Sequence, residues 1–292
     1  MNEPDVRAEA ACYLHPDRPA LTRCSRCEQP ICGDDLIEAP VGYQCPRCAQ
    51  GGQPVKRLAD LQAAPVTRAL VYAIGGIYLL SMVVGFGALY EVGALVPTLV
   101  GVGEVWRIVT SGFLHAQTPL HVLFNGYLLW VLGHQLEPRM RPARFVTLFA
   151  GGLIGGGLGV VLLSYLTVLT PLGTVPIIGD VLATNPFGRT VGASGAVFGL
   201  FGAALVAYRR QGINPWRTDI GSLVLLNLVI TVVFSGSISV GGHIGGLAAG
   251  ALVGAILLRD RGPMPLRIAI GTVVGLAVVT VVLARAMVAG LL

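Results

Sequence analysis

Residues 190–205 read TVGASGAVFGLFGAAL, with Ser194 at a glycine-flanked entrance to an apolar, small-residue helix that Arg209 and Arg210 close. From Ser194 to Tyr208 is 15 residues. At ~1.5 Å per residue that is about 22 Å, short of the ~30 Å hydrocarbon core of a bilayer. With the arginines at one membrane surface, Ser194 lies roughly 8 Å below the other. A hydroxyl at that depth, on a helix start, is a candidate for chemistry.

The rest of the chain has the composition of a membrane protein. Of its 292 residues 54% are apolar and 12% charged, and mean hydropathy is +0.73. Soluble domains carry about 25% charged residues. The net charge of +5 calls for no nucleic acid, because the excess arginines flank apolar runs, where the positive-inside rule puts them. Apolar spans are expected near 69–89, 119–135, 145–169, 194–208, 218–235, 240–258 and 266–289. Lys56, Arg57 and Arg68 precede the first. Arg139, Arg141 and Arg144, then Arg209, Arg210 and Arg217, then Arg259, Arg261 and Arg267 fill alternate loops, while the others hold only Arg107 and Arg189. The expected topology is an all-α bundle with a cytoplasmic N-terminus and an extracytoplasmic C-terminus.

All six cysteines precede residue 49, in a polar segment without an apolar leader, so they are expected to be reduced and metal-binding. They fall into pairs with His15 and Asp35: Cys12–His15, Cys24–Cys27, Cys32–Asp35 and Cys45–Cys48. Two intervening residues put both members of a pair on one turn, facing one tetrahedral ion. The alternation resembles the cross-braced B-box and RING-like fingers. That scheme implies one zinc on Cys24, Cys27, Cys45 and Cys48, and another on Cys12, His15, Cys32 and Asp35. Asp35 stands where a cysteine or histidine is usual, so one or two structural zinc ions are expected. The chain divides into a zinc module over 1–50, a linker over 51–67 and a membrane domain over 68–292.

Three polar clusters interrupt the spans. His121 and Asn125 share one face of the second; Ser194 opens the fourth; His243 lies in the first turn of the sixth. Gly195, Gly199 and Gly202 on one, and Gly242, Gly246, Gly250 and Gly254 on the other, make stripes that let helices approach closely, so spans four and six are expected to touch. All three polar spans enter from the same membrane side, which gathers the clusters at one depth around a wet cavity opening outward. Ser194 is then the nucleophile and His243 its base; His121, Asn125 and the Ser194 amide form an oxyanion hole. Apart from Asp219 at the arginine-flanked end of the fifth, no Asp or Glu lies within a span, so a Ser–His dyad is expected. His115 and His134 are read as structural or solvated.

The chain resembles the rhomboid family of intramembrane serine proteases. The matching residues are Glu104-x-Trp106-Arg107, His121-x3-Asn125, Gly192-x-Ser194-Gly195 and His243 with Gly246, all in the family's order. The resemblance implies a six-helix bundle, here with a seventh C-terminal transmembrane helix and a small zinc-binding domain as additions. It implies cleavage of transmembrane protein substrates near their outer end, after a small residue, with no catalytic cofactor. It implies that Trp106 and Arg107 shape a membrane-embedded loop and that Phe198 packs under His243; Gly250 belongs to the helix-packing stripe. The combination looks like bacterial plasma-membrane rhomboids with an N-terminal zinc finger, which could dock a cytoplasmic protein. The other readings are an inactive rhomboid-like binder of membrane helices and a transporter.

Overall fold

A computed structural model describes residues 11–39, 42–50, 64–259 and 262–291. The chain forms two compact units, Met1–Leu61 and Gln62–Leu292. Most of the expected linker, with Lys56 and Arg57, and also Arg261, lies outside the described residues.

The first unit is made of small pieces. Strand β1 (Thr22–Arg23) pairs antiparallel with β2 (Pro30–Ile31), and β3 (Ile37–Glu38) with β4 (Tyr43–Gln44), followed by helix α1 (Pro46–Gln50). Its buried apolar cluster is Cys24, Ile31 and Cys45, with Tyr13, Leu36 and Cys48 packed around it. So small a core cannot by itself offset the chain entropy of folding.

The second unit is helical. It contains α2 (Pro65–Val84), α3 (Phe86–Gly93), α4 (Pro97–Gly101), α5 (Arg107–Thr110), α6 (Pro119–Leu136), α7 (Pro142–Leu169), α8 (Ile178–Leu182), α9 (Ser194–Arg210), α10 (Asp219–Val233), α11 (Val240–Leu257) and α12 (Pro263–Leu291). Helices α2, α4, α6, α7 and α12 start on proline, whose fixed φ and missing N–H suit the first turn. A helix lies at each of the seven apolar runs. Among the described residues, α2, α7, α11 and α12 are long and apolar enough to cross a membrane. Helices α9 and α10 have 17 and 15 residues, and α6 carries His121, Asn125, His134 and Gln135 on its 18. Length and polarity therefore set these three apart.

The centre of the unit is built from glycine. A Cβ on Gly250 would lie 2.1 Å from the Gly199 carbonyl oxygen, and one on Gly246 2.2 Å from that of Gly195. Helices α9 and α11 thus meet backbone to backbone, as their stripes predict. Helix α7 joins them through a third set that the sequence reading did not single out. A Cβ on Gly152 would meet Gly199 Cα at 2.8 Å, on Gly156 the Gly242 oxygen at 2.9 Å, and on Gly159 the Gly241 oxygen at 2.0 Å. Close packing of this kind replaces the hydrophobic drive that lipid removes. Helices α7 and α11 are 61% and 56% buried over their most apolar windows, α2 and α12 22% and 17%. The latter pair shows apolar faces such as Leu79, Val83, Val274 and Val278 to the surroundings.

Charges close the helix ends. Glu137, 2% exposed, accepts from the Val66 N–H (2.9 Å), the Thr67 N–H (2.7 Å) and the Thr67 hydroxyl (2.7 Å), capping the start of α2. Arg144 donates to the Leu257 carbonyl at 2.7 Å and the Gly262 carbonyl at 2.5 Å, closing α11. An arginine counted toward membrane topology is therefore also a buried cap.

Candidate active site

The segment leading into Ser194 is fixed from outside. Leu95 and Thr190 exchange backbone hydrogen bonds of 3.0 and 2.8 Å, and the Gly192 N–H donates to the Ser111 carbonyl at 2.9 Å. The loop that supplies these partners is itself stapled. Arg107, 3% exposed, donates Nε to Glu104 Oε2 (2.6 Å), Nη1 to the Ala94 carbonyl (2.9 Å) and Nη2 to the Glu91 carbonyl (2.5 Å). Trp106 Nε1 donates to the Val92 carbonyl at 3.0 Å, with half its surface exposed. These carbonyls are the orphaned acceptors at the end of α3. Composition alone suggests interfacial anchoring for Trp106–Arg107; here they cap a loop helix.

Ser194 is the first residue of α9 and is half-buried, with no side chain capping the helix before it. Its early amides, that of Ser194 included, lack intrahelical acceptors. Gly192 has φ +127°, a conformation side chains rarely adopt, and a Cβ there would stand 2.8 Å from His121 Nε2. Glycine at 192 therefore lets the His121 ring lie over the turn that enters Ser194.

Hydrogen accounting assigns the His121 tautomer. The Ala116 N–H points at His121 Nδ1 at 3.2 Å, and an amide can only donate. Nδ1 accepts, so the neutral ring carries its proton on Nε2, the atom facing Gly192. The 115–117 segment is held for this by Tyr90, which donates to the His115 carbonyl at 2.6 Å, and by Tyr78, which donates to that of Gln117 at 2.7 Å. Asn125 is buried one turn on; one N–H of its amide donates to the His121 carbonyl at 2.9 Å, and its second N–H remains.

His243 is buried in the first turn of α11, whose Ser239 cap accepts from the Gly242 N–H at 3.0 Å. Its ring stacks on Phe198, one turn beyond Ser194, with centroids 4.1 Å apart and planes at 19°. His243 Nδ1 lies 2.6 Å from Thr231 Oγ1. Thr231 is the neighbour that sequence reasoning missed, and His115, read as structural or solvated, proves to be buried beside His121. His115 is 1% exposed, packs edge-on to His121 at 5.1 Å between centroids, and takes a long 3.5 Å hydrogen bond from the Ala193 N–H. A lone threonine or histidine carries no such signal in sequence. His134 lies apart, against Trp130 at 4.2 Å.

In the first unit the paired ligands converge in two clusters, Cys24, Cys27, Cys45 and Cys48, and Cys12, His15, Cys32 and Asp35, each with ligand atoms within 4.8 Å of one another. Asp35 Oδ2 lies 2.9 Å from His15 Nδ1, 3.1 Å from Cys12 Sγ and 3.3 Å from Cys32 Sγ; Cys27 and Cys45 sulfurs are 3.8 Å apart. The edges of a tetrahedron around an ion bound at 2.0–2.3 Å are roughly 3.3–3.8 Å. Burial pushes the Cys24 thiol up, but the Cys45, Arg26 and Cys27 backbone amides and the Cys27 side chain outweigh it and hold it near about 6. The Cys27 side chain beside it, together with burial, drives Cys48 up to about 12. Either cluster could hold a metal.

Comparison with known proteins gives the family of the helical unit. A model of the rhomboid domain matches residues 102–260. The chain is 31% identical over 161 residues to the rhomboid relative YdcA of Bacillus subtilis, covering 54% of this chain and 70% of that one. It is 30% identical over 169 residues to the rhomboid protease GluP of the same organism, covering 56% of this chain and 28% of GluP. It is 32% identical over 103 residues to the rhomboid protease GlpG of Yersinia enterocolitica, covering 35% of this chain and 37% of GlpG. The chain thus spans well under half of GluP and GlpG. With a domain match over more than half its length, around the helices that carry Ser194, His121 and His243, this integral membrane protein belongs to the rhomboid family.

Proposed function

We propose that this protein is an intramembrane serine endopeptidase that cuts transmembrane protein substrates near their extracytoplasmic end, after a small residue. The reading is supported by the packing of the His121 ring against the Gly192 turn that enters Ser194, with Asn125 bonded one turn on, and by the stacking of His243 on Phe198, one turn beyond Ser194. Ser194 Oγ attacks the scissile carbonyl while His243 takes its proton. The tetrahedral oxyanion is received by the His121 Nε2–H, the Asn125 amide and the Ser194 N–H. Collapse breaks the C–N bond, and His243 returns its proton to the leaving amine. Water, deprotonated by the same ring, then releases the acyl group. No cofactor enters this chemistry. Glu104, Trp106 and Arg107 hold the loop beside the site, and Gly192, Gly195, Gly246 and Gly250 give the backbones their approach.

The N-terminus is cytoplasmic and the C-terminus extracytoplasmic in this reading, as for a seven-span bacterial plasma-membrane protein. Residues 1–50 form a structural, B-box-like zinc module with two ions, one on the four cysteines and one on Cys12, His15, Cys32 and Asp35. The module is structural rather than catalytic, since four protein ligands leave no open position; docking a cytoplasmic protein, regulating the protease and aiding folding are the roles open to it.

Cleavage of a model transmembrane substrate by purified protein, compared with Ser194→Ala, tests the function. Cleavage that depends on the serine is expected. Equal cutting by Ser194→Ala would refute the mechanism, and a folded wild type that cuts nothing would favour an inactive binder of membrane helices.

A further inference from the structure

The bundle supplies His243 with no carboxylate. Among the described residues no Asp or Glu makes an ion pair or hydrogen bond with it; Glu137 is committed to the start of α2 and Glu104 to Arg107. Its Nδ1 meets the hydroxyl of Thr231 instead, on the neighbouring helix α10, at 2.6 Å. Thr231 is 1% exposed, so water does not compete for that hydroxyl.

A threonine inside a helix ordinarily donates to the carbonyl four residues back and does nothing more. Thr231 does donate there, to the Asn227 carbonyl at 2.6 Å. A hydroxyl has one proton and two lone pairs, and a carbonyl can only accept. The Thr231 proton is therefore spent on Asn227, and toward His243 the oxygen can only accept. Nδ1 must then carry the ring's proton, which leaves Nε2 with a free lone pair. Phe198 fixes the plane of the ring by stacking, and Thr231 fixes its rotation within that plane.

We infer that Thr231 is a positioning residue, the neutral third member of a Ser194–His243–Thr231 array, which holds His243 in the tautomer able to accept a proton from Ser194. The inference rests on the protease reading above. A neutral acceptor suits this place: a carboxylate buried in a bilayer-spanning bundle carries a large desolvation cost, and a hydroxyl already satisfied by its own helix does not. When His243 becomes an imidazolium, the same Nδ1–H···Oγ1 bond persists, so the ring need not turn during the reaction.

The test uses the full chain in detergent with Thr231→Val, which keeps the shape and removes the oxygen, and Thr231→Ser, which restores it. Thr231→Val is expected to lower kcat roughly ten-fold with KM unchanged, and Thr231→Ser to recover most of the loss. Nitrogen-15 NMR of His243 is expected to show the Nδ1–H tautomer in wild type and a shift toward Nε2–H in Thr231→Val. Equal impairment in Val and Ser variants, an undiminished kcat in a folded Thr231→Val, or an Nε2–H tautomer in wild type would each overturn the inference. Failure of the protease reading looks different: wild type and Ser194→Ala would then be equally inert, while the NMR result still decides the tautomer.

Discussion

The two units of this protein solve the same problem, holding side chains in place, by opposite means. In the helical unit the backbones of α7, α9 and α11 touch through glycines, and the polar residues ride on that scaffold. In the N-terminal unit short strands surround a core of a few residues, beside two clusters of ligand atoms that could each hold a metal. One is rigid because side chains were removed from the contact. The other has little core of its own, and its ligand clusters could be held by metal ions. The first should therefore be sensitive to added volume and the second to removed metal.

Metal removal is expected to have the largest effect. A structural zinc contributes about 10–16 kcal/mol in small modules, so chelation, or Cys24→Ser with Cys27→Ser, should unfold residues 10–50. Circular dichroism and proteolysis of the intact protein would show it, and metal analysis should give about two ions per chain before treatment. A fragment beginning at Ala64 should still cut substrate in detergent. Loss of activity in a verified, folded fragment would end the separation of the two units.

Next is Asn125→Ala, which should lower kcat by ~10²–10³, about 2.7–4 kcal/mol on the barrier, with little change in KM. Weakened binding at constant kcat would make Asn125 a docking residue instead. Gly250→Leu should follow at about 3 kcal/mol, because its new atoms would strike the Gly199 backbone, which cannot rotate away. The control is Gly275→Ala on α12, where nothing lies within 4 Å. Thermal unfolding in detergent should separate the two, and equal melting temperatures would refute the glycine account. The smallest effect is Glu137→Gln, at about 2 kcal/mol, since the amide keeps one acceptor oxygen and loses the charge that favours the start of α2.

The sequence made the helices readable because a bilayer demands long apolar runs. It also exposed the glycine stripes of α9 and α11, because a four-residue repeat survives as a pattern. The glycines of α7 stand as GGLIGGGLG at 151–159, inside a run that hydropathy alone marks as a span. Their spacing, with 152 and 156 or 155 and 159 four apart, was the available signal. Other features had no linear signature. The pairing of Leu95 with Thr190 joins segments far apart in the chain, and the cap that Glu137 places on α2 spans 70 residues. Thr231 looks like any helical threonine until α11 is set beside it. The cysteine pairs were legible because two ligands on one turn is a local requirement. The partner of each pair was known only through a resemblance to cross-braced fingers, and the observed clusters follow that order.

The claim at the centre of the account is that Ser194 is the nucleophile and His243 its base. Treating the purified protein with a serine-reactive fluorophosphonate and mapping the adduct by mass spectrometry tests it most directly. The account predicts a single adduct on Ser194, formed together with loss of cleavage and absent from His243→Ala. An adduct on another serine that abolishes cleavage, or full labelling of Ser194 in His243→Ala, would contradict it.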